Sequence, residues 1–160
     1  MRLRKFRITD AERVATLVKD DAISRWTSKI PFPCTTQDII DWIEGLERKL
    51  NRNPYAVIVD NEIIACVSLW PAGDNEIEVG YCVGKDYWGK GVASRALAML
   101  LALPEMPQNK PLVAKVLIGN MASERVLLNN GFTFTGECEL SRMGNPVAGR
   151  AFVRPALSAE

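Results

Sequence analysis

The stretch Gly80-Tyr-Cys-Val-Gly-Lys-Asp-Tyr-Trp-Gly-Lys-Gly-Val-Ala-Ser-Arg-Ala-Leu-Ala-Met-Leu100 decides how this chain is read. An apolar strand runs into a loop with glycines at 84, 89 and 91, and a helix starts at once. The first N–H groups of a helix have no internal partner, and the helix dipole puts partial positive charge at the same end. Glycines let a phosphate approach the backbone without meeting a Cβ. The order strand, glycine loop, helix therefore predicts an anion site for a ligand that carries phosphate.

Composition narrows the rest. The 160 residues fit one domain spanning 1–160, large enough to bury a core without disulfides. A net charge of +1 gives no reason to expect nucleic acid as partner. Cys34, Cys66, Cys82 and Cys138 are far apart, with no C-x-x-C pair, and read as free thiols in a reducing compartment. Met1 to Arg7 is basic but no apolar run follows it, so no secretory signal is expected. No apolar run reaches membrane-spanning length, and the cytoplasm is the expected location. The chain has no histidine. That excludes a Ser-His-Asp triad, a Cys-His pair and an H-E-x-x-H zinc site, and leaves proton transfer to carboxylates, hydroxyls, thiols, lysine or water.

Working outward from the loop gives an element order. Leu3 to Ile8 reads as a first strand, and Thr9-Asp-Ala-Glu12 as a capping box opening a helix to about Asp20. Ala22 to Pro33 reads as a short helix and a loop. Thr35 or Thr36 caps a helix whose apolar residues Ile39, Ile40, Trp42, Ile43, Leu46 and Leu50 recur near 3.6. Tyr55 to Val59 and Ile63 to Leu69 form a hairpin about Asp60-Asn61, and Pro71 to Asn75 a turn. Ile77 to Val83 leads into the glycine loop and its helix. A strand follows at Pro111 to Ile118, then a helix from Asn120 to Asn130, closed by Gly131 at the C′ position. Phe132 to Leu140 and Val147 to Val153 make a last hairpin about Gly144-Asn145-Pro146. The order β-α-α-β-β-β-α-β-α-β-β predicts an α/β (α+β) domain on a mixed, mostly antiparallel central sheet flanked by helices.

Two nucleotide motifs fail on inspection. Gly84-x-x-x-x-Gly89-Lys90 matches the start of a Walker A loop, but Gly91 replaces the magnesium-binding Ser or Thr. The glycines do not make the G-x-G-x-x-G dinucleotide fingerprint. By contrast, Trp88-Gly-Lys-Gly-Val-Ala93 resembles the Q/R-x-x-G-x-G/A motif of the GNAT superfamily of N-acetyltransferases, with Asp86 where Gln or Arg is usual. Tyr-Trp-Gly-Lys-Gly resembles the RimJ/RimL-like ribosomal-protein acetyltransferase branch. Two further blocks agree. Asn120 to Phe132 is similar to N-x-x-S-x-x-V-x-x-x-x-G-F, and Glu78 to Val83 to the E-[IV]-G-Y strand.

The resemblance implies acetyl-CoA as donor. Its pyrophosphate would take hydrogen bonds from backbone N–H groups of Gly89, Lys90, Gly91, Val92, Ala93 and Ser94, while Trp88 would pack on the cofactor or under the following helix. Its pantetheine arm would pair with the edge at Tyr81, Cys82 and Val83, where a backbone N–H would hold the oxyanion. Asn120 is an N-cap by residue type; Ser123, in the first turn, has a hydroxyl placed for the backbone or for the cofactor's sulfur end, and the resemblance makes both residues cofactor contacts. Glu78 lies opposite the strand's apolar face, either as a solvated carboxylate or as the base for the substrate ammonium. Cys82 shares that face but has no histidine to activate it, so it reads as a bystander thiol. Members of the family often place a tyrosine acid after the Asn120–Phe132 block. Here Tyr55, Tyr81 and Tyr87 all lie upstream, which leaves Ser123 or water as acid. Ile23, Trp26, Ile30, Phe32 and Trp70, with Glu78, would shape the acceptor pocket. No metal is expected. The acceptor implied is a primary amine, a ribosomal or other protein N-terminus or a small molecule, attacked directly in a ternary complex, with neither nucleic acid nor membrane as partner. Homodimerisation stays open. The alternative is a non-catalytic acyl-CoA-binding sensor or assembly module.

Overall fold

The computed structural model describes residues 1–25, 33–48 and 52–157. Its elements are β1 (Arg2–Lys5), α1 (Ala11–Val18), α2 (Asp21–Arg25), α3 (Thr36–Arg48), β2 (Asn53–Val59), β3 (Glu62–Ala72), β4 (Glu76–Val83), α4 (Val92–Leu101), β5 (Leu112–Leu117), α5 (Met121–Asn129), β6 (Thr133–Arg142) and β7 (Asn145–Arg154). Single 3-10 turns occur at Ile8–Asp10 and Lys85–Tyr87. The strands and the longer helices follow the expected order, and α2, the short helix read after Ala22, adds a third helix between β1 and β2 that this order left out.

One seven-stranded sheet runs β1-β2-β3-β4-β5-β7-β6. Every neighbouring pair is antiparallel except β4–β5. The sheet has a helix layer on each face. On one side α4 and α5 bring Ala96, Leu97, Leu100 and Leu127 onto Val67, Val79, Ala114 and Phe152. On the other, α1 and α3 bring Val14, Ala15, Ile39 and Ile43 onto Ala56, Ile58 and Ile63. Strand alternation explains this division: Val57 faces one layer and Ala56 and Ile58 the other. Burying each large aliphatic side chain contributes about 1.5–3 kcal/mol.

Local chemistry fixes the joints. Asp60 (φ 49°) and Asn61 (φ 65°) make the β2–β3 turn, and Met143 (φ 50°) and Gly144 (φ 81°) the β6–β7 turn. Paired positive φ values are the two-residue hairpin solution that matches strand twist. The last turn is therefore tighter than expected, because Asn145 and Pro146 already pair with Arg142 and Ser141. Likewise Pro71 and Ala72 continue β3 rather than opening a turn. Thr35 and Asp38 form a capping box for α3, the Thr35 hydroxyl accepting from the Asp38 N–H at 3.1 Å and Asp38 Oδ2 from the Thr35 N–H at 2.8 Å. The expected box at Thr9 and Glu12 is replaced. Asp10 accepts from the Arg7 N–H at 2.8 Å and from both terminal nitrogens of Arg4 at 2.7 and 2.9 Å.

Candidate active site

β4 and β5 begin together and then part. Their parallel register contains Ile77↔Leu112 and Glu78↔Val113 and nothing further along. On its other side β4 stays paired with β3 as far as Ala65↔Val83. From Val79 to Val83, β4 thus carries one satisfied edge and one edge facing a wedge-shaped gap. An open backbone edge inside a sheet needs a hydrogen-bonding partner.

The gap leads to the glycine loop. Gly89 (φ 72°) and Gly91 (φ 73°) both take the left-handed backbone, with open space where a Cβ would project. Their glycine identity answers to backbone conformation rather than crowding. Gly91 is the N-cap of α4, and no side chain caps it. The first bond along the helix is from the Arg95 N–H to the Gly91 carbonyl at 3.1 Å. The N–H groups of Val92, Ala93 and Ser94 precede it and carry the positive end of the helix dipole. The loop is docked on α1. The Arg13 guanidinium donates to the Tyr87 hydroxyl at 3.1 Å, Lys85 pairs with Asp20 at 3.2 Å, and a Cβ on Gly84 would lie 2.6 Å from Leu17 Cδ2.

Two exposed side chains of the loop hydrogen-bond back to nearby backbone. The Trp88 indole N–H donates to the Val83 carbonyl at 2.8 Å. The Lys90 ammonium donates to the Asp86 carbonyl at 3.1 Å and lies 5.8 Å from the Tyr87 ring centroid. Val92 sits in the core at 8% exposure, so its backbone N–H, not its side chain, faces the loop.

Across the gap stands the start of α5. Asn120 is its N-cap, and its side-chain oxygen accepts from the Ser123 N–H at 3.2 Å. The helix ends in a Schellman motif, Gly131 N–H to Leu128 and Phe132 N–H to Leu127, with Gly131 at φ 81°. Tyr81 reaches over from β4. Its hydroxyl lies 2.7 Å from Ser123 Oγ and 2.9 Å from the Ser123 carbonyl oxygen. Burial pushes the Tyr81 phenol up to about 12, opposed in part by the Ser123 hydrogen bond. Sequence reasoning valued Tyr81 for its backbone alone; the E-[IV]-G-Y block marked the residue but not its partner. Asn130 was also missed. Its amide donates to the Ser94 carbonyl at 3.1 Å and the Val126 carbonyl at 2.9 Å, tying the start of α4 to the end of α5.

Glu78, Gly80 and Cys82 alternate with the residues facing α4 and so lie on the α1–α3 side. Glu78 is half-buried at the base of the wedge. Trp70, its register partner, folds over Gly80: a Cβ there would lie 2.9 Å from the ring. The Arg52 guanidinium stacks 4.6 Å over the same indole. Cys82 packs against the α1–α3 core, and burial pushes its thiol up to about 12, which leaves almost no thiolate near neutral pH. Ile23, an expected pocket residue, is 2% exposed and packs with α1 and α3. Trp26, Ile30 and Phe32, the other expected pocket residues, lie outside the described residues.

The strand, the glycine loop and the helix start follow one another in the order read from the sequence. The sequence pattern of the acetyltransferase (GNAT) domain family matches residues 1–133, and the chain belongs to that family. It is 30% identical to the uncharacterized N-acetyltransferase p20 of Bacillus licheniformis over 105 residues, 62% of this chain and 59% of that protein. Solved acetyltransferase structures share its fold, among them two with CoA species bound. Mycobacterium smegmatis RimJ in complex with CoA-disulfide superposes with a TM-score of 0.81 at 21% identity, over 96% of this chain and 81% of that one. RimL, a ribosomal L7/L12 alpha-N-protein acetyltransferase in complex with coenzyme A, gives 0.79 at 18% identity, over 96% and 92%.

Proposed function

We propose that this protein is an acetyl-CoA-dependent N-acetyltransferase that acts by direct attack of an amine on the bound thioester. The observation that carries this reading is the wedge: an unpaired β4 edge from Val79 to Val83 that points at an uncapped helix start. An extended pantetheine arm has amide groups to pair with such an edge, as an added strand does. The pyrophosphate then meets the N–H groups between Gly89 and Ser94. RimJ and RimL, which share the fold, were solved with CoA species bound, which supports the same donor here.

The two candidate catalytic side chains lie on opposite faces of the wedge. Glu78 belongs to the α1–α3 side and would take the proton of the incoming ammonium, directly or through water. Ser123 belongs to the α4–α5 side, where its hydroxyl would donate to the departing thiolate. Attack and departure then proceed from opposite sides of one carbonyl. A backbone N–H between Tyr81 and Val83 would hold the oxyanion. Trp70 and Glu78 would contact the acceptor, a protein N-terminus or a small-molecule amine. We infer a reducing, cytoplasmic setting from the four thiols, all free in the structure.

Isothermal titration with acetyl-CoA, followed by thiol release across α-amines, polyamines and aminoglycosides, tests the reading. Binding and turnover are expected. Binding with no turnover on any amine would leave a CoA-binding module, and absence of binding would reject the donor. Glu78→Gln should lower kcat/KM about 10- to 100-fold near neutral pH, below the full general-base range because water can substitute. The deficit should shrink as pH rises, since a neutral amine no longer needs a base. A flat ratio across pH would remove Glu78 from the mechanism.

A further inference from the structure

We infer that Tyr81 is a positioning residue: its hydroxyl sets the direction of the Ser123 hydroxyl and so decides whether Ser123 can donate to the leaving sulfur. The inference rests on the acetyltransferase reading and deepens it.

Proton counting carries the step. Tyr81 has one proton and two neighbours, Ser123 Oγ at 2.7 Å and the Ser123 carbonyl oxygen at 2.9 Å. The carbonyl can only accept. If Tyr81 donates to the carbonyl, the short contact to Oγ must be made by the serine proton, which is then turned toward the phenol and away from the wedge. If Tyr81 donates to Oγ, the serine proton is free to point at a ligand. The pair therefore has two hydrogen-bond states, and a sulfur acquiring negative charge selects the second.

The surroundings hold the backbone that carries this hydroxyl. The Ser123 N–H is held by Asn120 at 3.2 Å, and Asn120 is fixed as the helix cap. Glu124, the next residue, lies 2.7 Å from the Arg150 guanidinium of β7, which stacks 3.9 Å from the Phe134 ring. The first turn of α5 is thus anchored on both sides, and the hydroxyl torsion is the freedom left for Tyr81 to govern. Tyr81 is itself packed against the α4–α5 core.

Tyr81 does not serve as the acid itself. Its phenol is raised to about 12, and an ordinary thiol titrates near 8.5, so full transfer would run uphill by roughly three to four orders of magnitude. The step that balances keeps both hydroxyl protons in place. The C–S bond of the tetrahedral intermediate breaks and its electron pair goes to sulfur. The sulfur accepts a hydrogen bond from Ser123 Oγ–H while Oγ accepts one from Tyr81 Oη–H. As the oxyanion re-forms the carbonyl, CoA leaves as thiolate and takes a proton from solvent; Glu78 takes the first proton from the incoming ammonium and passes it to solvent, and the nitrogen of the intermediate sheds its second proton by the same route.

A double-mutant cycle tests this. Tyr81→Phe keeps the ring and removes the donor. It should fold, bind acetyl-CoA as tightly as the parent and lose about 10- to 100-fold in kcat with KM for the donor unchanged, below the range for an oxyanion donor because a thiolate leaves readily unaided. Ser123→Ala should lose a similar factor, and the double variant no more than either alone, because Tyr81 acts through Ser123. Unchanged kcat in Tyr81→Phe, or losses that multiply in the double variant, would overturn the inference. Should Tyr81→Phe fail to fold, the wild-type complex with CoA decides: Ser123 Oγ should lie within hydrogen-bond reach of both Tyr81 Oη and the CoA sulfur, and a sulfur out of its reach overturns the proposal. A wild-type protein that acetylates no amine sinks the parent reading as well, whereas turnover indifferent to Tyr81 sinks only this one.

Discussion

Gly91 shows how little the loop asks of side chains. At φ 73° an L-residue is strained even though nothing occupies the Cβ position. Gly91→Ala should destabilise the protein by about 1–2 kcal/mol, the cost of the left-handed conformation. A urea melt would show it, and Gly91→Asn should recover part of the loss because asparagine tolerates that region. Acetyl-CoA affinity should fall with Ala as well, since Gly91 starts the row of N–H groups that we propose for the phosphates. Residue-level legibility was uneven. The glycines were legible because a glycine pattern reports a backbone requirement directly. The Tyr81–Ser123 contact was not: the two residues are 42 apart in sequence and meet only once β4 and α5 are placed across the wedge. The burial of Ile23 was not legible either, since an isoleucine in a short helix looks the same whether it lines a pocket or fills a core.

At the scale of elements, the entrance to α1 is held by charge rather than by a hydroxyl. Arg4 of β1 grips Asp10 with two nitrogens, and Asp10 also caps the 3-10 turn. The pair is mostly shielded, at 21% and 9% side-chain exposure. Asp10→Ala leaves the guanidinium without its partner and should cost about 2–3 kcal/mol. The Arg4 hydrogen bond holds the Asp10 carboxyl below the usual carboxylate range. The sign follows: the folded state binds this proton more weakly than the unfolded one. The Asp10 contribution is therefore complete above the unfolded value of about 3.9 and is lost as pH falls through the lower folded value. Urea midpoints should decline in acid below about pH 4 for the parent, and an Asp10→Asn protein should lack that component of the decline. Thr9-x-x-Glu12 was the visible capping signal, but a bidentate Arg–Asp pair across a strand–helix junction outcompetes a single serine-type cap. Most other element ends were legible, because Thr35, Asn120 and Gly131 act locally and their signals lie within a turn of the structure they specify.

For the molecule as a whole, the sheet is two blocks joined by a short seam. β1 to β4 form one antiparallel unit and β5 to β7 another, and Ile77↔Leu112 with Glu78↔Val113 is all that stitches them. Alternation and helix order announced the layers. They could not announce where the seam ends, because parallel register between β4 and β5 is set by α4 and the long connection after it. Amide exchange should report the seam. Without ligand, the Val79–Val83 stretch should exchange faster than residues of β2 and β3, and acetyl-CoA should slow it. Equal protection with and without ligand would mean that the gap is already closed by something else.

The open edge of β4 also has a consequence for handling and storage of the protein. Unsatisfied backbone on a strand is adhesive toward any other strand that can reach it. A protein that keeps such an edge in its interior trades cofactor access for a latent stickiness. Its soluble lifetime in the empty state should be shorter than in the loaded state, beyond what the gain in melting temperature explains. Light scattering at a fixed distance below each form's own melting point would reveal this, with turbidity rising sooner in the empty protein.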